Sequence, residues 1–152
     1  MQILRWQVGN SLKNYQYIVA DAQKNAFLID PLDLEEIEKV VVRENLRLKT
    51  ILITHEHHDH AARAHEIQDK FSVPIYASTE AAPYITGSVT PTHDKAVIQN
   101  KTDLRAIVHK TPGHTAGHLA YEIGGFLFCG DALFHGGCGN CKSASANLDE
   151  QY

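Results

Sequence analysis

The chain is short of the features that would place it in several large classes of protein. Only three of its 152 residues are cysteine, Cys129, Cys138 and Cys141, odd in number and confined to the last quarter. That argues against a disulfide framework and leaves reduced thiols as the expectation. No apolar run approaches the roughly 20 residues that a membrane-spanning helix requires, so no membrane partner is expected. Lys and Arg nowhere cluster and the net charge is −4. The concentrated positive charge that neutralises a nucleic-acid backbone is therefore missing, and nucleic acid is excluded as an expected partner. The start, Met1-Gln2-Ile3-Leu4-Arg5-Trp6, has no basic segment, apolar stretch or small-residue cleavage site of a secretory signal, which makes a cytoplasmic location the expectation. There is no internal repeat and no low-complexity linker. What remains, 43% hydrophobic and 21% charged, is the composition of a globular chain of one ordinary domain, residues 1–152.

Strand-like and helix-like segments alternate, which points to a layered α/β domain. Residues 3–8, 15–19 and 26–29 read as strands, with a turn at Asp21-Ala22-Gln23-Lys24-Asn25. Asp33 with Glu36 makes a capping-box signal, and Leu34, Ile37, Val40 and Val41 recur at helical spacing to about Leu46. Thr50-Ile51-Leu52-Ile53-Thr54 is the pattern of a strand buried on both faces. Residues 61–71 fit a second helix with Ala64, Ile67 and Phe71 on one side, and residues 73–77 a strand. The stretch 78–103 is hard to read. Residues 104–108, 119–123 and 126–129 read as strands, the last two joined by a Gly124-Gly125 turn. Every motif described below follows one of these strands.

Against the scarcities stands an abundance of histidine, ten residues, with His55, His57, His58 and His60 falling inside six positions. In Thr54-His55-Glu56-His57-His58-Asp59-His60, residues two apart on an extended segment point the same way, so His55 and His57 can converge on one ion. Asp59 and His60 are displaced from that pair. So many ligands would crowd one tetrahedral ion but suit two neighbouring ions. Two later loops supply further donors. His114, in Thr111-Pro112-Gly113-His114-Thr115, could complete the first ion, and Asp131, after Gly130, has two oxygens that could bridge both. Taken singly, His114 reads equally well as a surface residue and Asp131 as a turn former or cap.

The three segments Thr54 to His60, Thr111-Pro112-Gly113-His114-Thr115-Ala116-Gly117-His118, and Gly130-Asp131-Ala132-Leu133-Phe134-His135-Gly136-Gly137-Cys138-Gly139 resemble three successive signatures of the metallo-β-lactamase superfamily, in its glyoxalase II (hydroxyacylglutathione hydrolase) branch. The resemblance implies an α+β fold, the αββα sandwich with the site at one edge of the sheets. It implies two divalent metal ions, one held by His55, His57 and His114, the other by Asp59 and His60, and both by Asp131. A His/Asp ligand set suits zinc, and equally iron or manganese. The implied reaction is hydrolysis of a small-molecule thioester such as an S-acylglutathione through a metal-bridging hydroxide, with Asp59 and Asp131 as catalytic residues and Cys138, Gly139, Asn140 and Lys142 as substrate-binding residues.

The pattern is not complete. The family has one more histidine ligand downstream of the Asp131 position and then a helical region; this sequence ends at Tyr152, and His135 is a poor substitute. Residues 145–152 read as the opening of a helix, so a fold lacking its C-terminal part is expected. The basic residue that the family carries after Cys-Gly is absent here, with Lys142 at a shifted position. Cys138-Gly139-Asn140-Cys141 is a lone C-x-x-C without the context of a redox pair or zinc ribbon. His58 reads as a bulky neighbour of the ligands, His118 as a residue that orients them, Cys129 as a small core residue, His65 as a residue of the second helix, and His93 and His109 as surface or hydrogen-bonded. Two other functions stay open: a mononuclear iron persulfide dioxygenase using only His55, His114 and Asp131, and a metal-binding fragment without turnover.

Overall fold

The computed structural model describes residues 1–141, so Lys142 and the helix expected over residues 145–152 lie outside the described residues. The described strands form two sheets. One has six strands in the order β1 (Gln2–Gln7), β2 (Tyr15–Ala20), β3 (Asn25–Ile29), β4 (Arg47–Leu52), β5 (Ile75–Ser78) and β6 (Val89–Thr92). The other has four, in the order β10 (Phe126–Phe128), β9 (Leu119–Ile123), β8 (Ala106–Lys110) and β7 (Val97–Ile98). The first two pairings of the large sheet are antiparallel and the remaining three parallel, while the small sheet is antiparallel throughout.

Alternation along the central strands decides the layering. In β3, Ala26 and Leu28 face helices α1 (Leu34–Arg43) and α3 (Ala64–Phe71), packing with Ile37, Val40, Ala64 and Ile67. Phe27 and Ile29 face the opposite way, onto Val108, Leu119, Tyr121 and Phe128 of the small sheet. Both faces are buried, which is why these strands carry unbroken apolar runs. The expected αββα class is found, as helices, large sheet and small sheet. Among the described residues no helix covers the outer face of the small sheet, where Glu122 and Leu127 stand opposite each other.

Several boundaries differ from expectation for local reasons. Helix α1 starts as read, Asp33 Oδ1 accepting from the Glu36 N–H at 3.1 Å, but stops three residues before Leu46. Asn45 takes a left-handed conformation (φ 53°), and the Leu46 and Asn45 N–H groups return to the carbonyls of Val41 and Val42. Leu46 is thus part of a Schellman cap. The expected helix over residues 61–71 is split into α2 (His58–Ala61) and α3. The illegible stretch holds β6, an edge strand containing Pro91, and the two-residue β7, neither long enough to show a period.

The C-terminal ends of β3 and β4 place Asp30 and Thr54 side by side, because Ile29 pairs with Leu52 in parallel register. The Leu119 N–H donates to the Thr54 carbonyl at 2.8 Å and the Tyr121 hydroxyl to the Ile53 carbonyl at 2.9 Å. The two sheets are therefore tied together where the histidine segment begins.

Candidate metal centre

Beyond β4 the chain bends at Thr54 and runs without regular structure to His57, which caps α2 with φ −60° and ψ 143°. This places the His55 and His57 rings on one side, His55 Nε2 lying 3.0 Å from His57 Nδ1. The helical turn that follows swings His58 out to solvent, not against the ligands as expected, and returns Asp59 and His60 to the site. His114 arrives from the loop after β8, its Nε2 2.9 Å from the same His57 Nδ1. His55, His60 and His114 are 0%, 5% and 4% exposed, so their donors face one another and not water.

The hydrogen-bond network fixes where the protons sit. The Thr54 hydroxyl donates to Asp30 Oδ2 at 2.7 Å and so accepts from His55 Nδ1–H at 3.0 Å. His114 Nδ1–H donates to the Asn140 carbonyl at 2.6 Å. His55 Nε2 and His114 Nε2 therefore both carry lone pairs, both aimed at His57 Nδ1, which in a neutral ring has at most one hydrogen to offer. Three nitrogens with a surplus of lone pairs, all within 4.8 Å of one another, are the arrangement that a divalent cation satisfies.

A second group is formed by His55, His60 and Asp131, again with donors within 4.8 Å of one another. His60 Nδ1–H donates to Asp30 Oδ2 at 2.9 Å, which turns Nε2 toward Asp131 Oδ1 at 3.2 Å. The other Asp131 oxygen lies 3.4 Å from His114 Nε2, so this carboxylate sits between the two groups with one oxygen toward each. Asp59 stands beside the second group, its Oδ2 3.7 Å from His60 Nε2. His135, by contrast, is exposed and belongs to neither group.

The electrostatics of the groups differ. Burial, reinforced by the neighbouring imidazoles, holds His55 far below the ordinary histidine range and lowers His57. Burial would lower His60 as well, but the Asp30 and Asp131 carboxylates outweigh it and push the ring up to about 10. Burial raises Asp131, yet the hydrogen bond and charge of His60 leave it below the ordinary carboxylate value. His118, stacked on His55 with centroids 4.9 Å apart and bonded through Nδ1 to the Thr111 hydroxyl at 2.9 Å, is lowered to about 4 by burial.

Two glycines let the loops close this tightly. A Cβ on Gly130 (φ 47°) would stand 2.5 Å from Thr54 Oγ1, and one on Gly139 2.4 Å from the Asp131 carbonyl and 2.7 Å from His114 Nδ1. The segment read as substrate-binding thus also buttresses ligands: Gly139 N–H donates to the Asp131 carbonyl at 2.8 Å, and Asn140 holds His114. Gly139 and Asn140 line the groove that opens beside the centre, whereas Cys138 is not among its lining residues. None of the three cysteines is in a disulfide, and Cys129 is half-buried with its thiol donating to the Leu133 carbonyl at 3.4 Å, not a core residue as expected.

Sequence reasoning missed Asp30 and Asn14. Asp30 accepts from the Thr54 N–H (2.8 Å) as well as from Thr54 Oγ1 and His60, and its signal was a carboxylate closing an apolar strand just before Pro31. Asn14 donates to Asp59 Oδ2 at 2.9 Å and lies 3.1 Å from His60 Nε2; nothing local in the sequence marks it.

Comparisons with known proteins agree with this geometry. A family model described as the metallo-beta-lactamase superfamily matches residues 12–149. A hydroxyacylglutathione hydrolase of Francisella tularensis subsp. novicida is 34% identical over 155 residues, covering 100% of this chain and 60% of its own length. Another, from Alkalilimnicola ehrlichii, is 39% identical over 128 residues, covering 83% of this chain and 49% of its own. The chain thus spans about half to three fifths of the curated relatives it matches. The crystal structure of ETHE1 from Myxococcus xanthus is similar with a TM-score of 0.87 at 26% identity, covering 99% of this chain and 66% of that one.

Proposed function

The chain belongs to the metallo-beta-lactamase superfamily, and from that membership we propose that residues 1–152 form one domain of a cytoplasmic, metal-dependent hydrolase that cleaves a small-molecule thioester such as an S-acylglutathione. The observation that carries the reading is Asp131 lying between two groups of histidine nitrogens, 3.2 Å from His60 and 3.4 Å from His114. In this reading His55, His57 and His114 hold one divalent ion, Asp59 and His60 the other, and Asp131 both. Zinc fits the donors, as do iron and manganese.

Bound there, the ions would acidify a water molecule and polarise the thioester carbonyl. The side chains do the rest. Asp30 and Thr54 fix the ring orientations and tautomers of His60 and His55, so that no reorganisation is needed during the reaction. Asp131 orients the attacking water, and Asp59, whose Oδ2 is engaged by Asn14, receives a proton on Oδ1. Addition of water to the carbonyl breaks the C–S bond and gives a carboxylic acid and a thiol. Gly139 and Asn140 offer substrate contacts from the groove wall, with Cys138 and Lys142 at the two ends of that segment.

A second reading, a mononuclear iron persulfide dioxygenase using His55, His114 and Asp131, is favoured by the 3.4 Å approach of Asp131 to His114. Against it stand His57 Nδ1, wedged between the other two rings, and His60 facing Asp131. The deciding experiment is hydrolysis of S-D-lactoylglutathione by the purified, metal-loaded chain, with His114→Ala as the control for contaminating enzyme. Turnover that falls at least about 1000-fold in the variant, some 4 kcal/mol of barrier, is the expected result. No turnover, with oxygen uptake on a persulfide and one iron per chain, would establish the second reading instead. Metal binding with neither activity would leave a non-catalytic metal-binding fragment.

A further inference from the structure

We propose that the groove beside the metal centre is a substrate subsite for an apolar group that ends in a carboxylate, with Arg5 and Lys13 as its anion-binding residues. The inference rests on the hydrolase reading of the adjoining site and says which thioesters that site favours.

The groove has a volume of about 1200 Å³ and one end of it is the metal centre itself, where His57, Asp59, His60, His114 and Asp131 reach its surface. Its walls are of another character: Tyr15, Tyr17, Phe126, Phe128, Leu133 and Phe134 line it. Leu133 is 64% exposed, Phe126 55% and Phe134 46%, an unusual concentration of large apolar side chains on one patch. Their exposure follows from the sheet edges. β1 is the outermost strand of the large sheet and β10 that of the small one, so the space between the two faces is left unfilled there.

The cross-strand register gives the groove a length. Arg5 pairs with Tyr17 and Tyr17 with Ile29, so these residues form one row on the face turned toward the small sheet, ending one residue before Asp30. Two strand spacings separate the ends of that row, about 10 Å. Among the described residues Arg5 and Lys13 are the only Lys or Arg lining the groove, and its carboxylates, Asp30, Asp59 and Asp131, are all at the metal end. The Arg5 guanidinium lies 4.8 Å from the Tyr15 ring centroid, a contact that orients the cation without neutralising it. Lys13 sits in a left-handed turn (φ 58°) closed by its N–H on the Asn10 carbonyl. Among the described residues neither cation has a carboxylate partner within salt-bridge distance, so neither charge is already neutralised. An apolar trough whose Arg5 end stands about 10 Å from Ile29, the residue before Asp30, is matched by a substrate with an apolar body and a distal carboxylate.

The test is a calorimetric titration of the metal-loaded chain with two thioethers that cannot be hydrolysed, S-octyl-N-acetylcysteamine and its S-(7-carboxyheptyl) counterpart. The carboxylated ligand is expected to bind at least tenfold tighter. That advantage should vanish in Arg5→Gln/Lys13→Gln and persist in Lys101→Gln, which removes a positive charge remote from the groove. Arg5 is exposed on an edge strand, so the double variant should keep its metal content. Equal affinities in the unmodified chain would overturn the proposal. So would an advantage that survives in the double variant, which would place the carboxylate on the metals, or one lost equally in Lys101→Gln, which would make it a matter of net charge. Binding needs no turnover: failure to hydrolyse S-D-lactoylglutathione would strike the hydrolase reading alone, and equal thioether affinities the groove alone.

Discussion

The group formed by His55, His57 and His114 is made of imidazoles only, and its anchors are neutral: the Thr54 hydroxyl behind His55 and the Asn140 carbonyl behind His114. The group formed by His55, His60 and Asp131 has carboxylates on both sides of its key ring, Asp30 behind His60 and Asp131 in front of it. In the first, burial therefore keeps His55 and His57 neutral at ordinary pH, with lone pairs ready for a cation. The second stores a proton on His60, because without a metal that proton is what keeps Asp30 and Asp131 compatible. Neighbouring groups that share His55 thus differ in what they must give up to take a metal.

Removing Asp30 should break this comparison most severely. Asp30→Ala leaves the Thr54 N–H, the Thr54 hydroxyl and His60 Nδ1–H without their buried acceptor. Loss of one partner from a buried charged network costs about 3–5 kcal/mol of stability. Metal affinity at the second group should fall by about 10–100-fold, the usual effect of losing the carboxylate behind a ligating histidine. The first group is touched only through Thr54 and should lose less than tenfold. Urea unfolding and metal titrations on the same preparation measure both; equal losses at the two groups would show that Asp30 serves the fold alone.

Asp30 also shows where reading the sequence stops. The ligand-bearing loops were legible because each follows a strand with a clear period, and because H-x-H-x-D-H carries its own spacing logic from extended chain into helix. Asp30 and Asn14 act on those ligands from 25 or more positions away, through the register of β3 against β4 and the reach of the β1–β2 turn. No local pattern encodes such a contact. The same limit explains the misread boundaries: Asn45 ends α1 by adopting a left-handed conformation that Asn tolerates but does not require, and β7 is too short to show alternation. Chemistry that is local in sequence was readable, and the supports brought in by tertiary pairing were not.

The stored proton sharpens the comparison. His60 is raised, so in the metal-free chain its contribution to stability is complete below about pH 6.5 and is lost as the pH rises through about 10. His55 and His57 are lowered, so theirs is present above about pH 6.5 and lost on acidification. Metal uptake should follow the same division. Calorimetric titrations at pH 8 in two buffers of different ionisation enthalpy should report one proton released at the second group and none at the first. Affinity at the second should rise about tenfold per pH unit toward pH 10, while the first stays flat. Release of no proton at either group would mean that His60 is already neutral and that Asp30 does not hold it charged.

The smallest expected effect isolates the first group. Thr115, 0% exposed and next to His114, donates from its hydroxyl to Glu56 Oε2 at 3.0 Å, and Glu56 lies between His55 and His57. The bond joins the two loops that supply the three imidazoles, and neither residue belongs to the second group. Thr115→Val keeps the shape and removes the donor, so about 1 kcal/mol should be lost, with a few-fold weakening at the first group and no change at the second. Glu56→Gln retains an acceptor oxygen for the same hydroxyl and should be nearly silent, which separates the hydrogen bond from the charge of the carboxylate. If Thr115→Val weakened both groups alike, the loop would be moving as one body with Asp131, and the division between a neutral and a proton-loaded group would not extend to the elements that hold them.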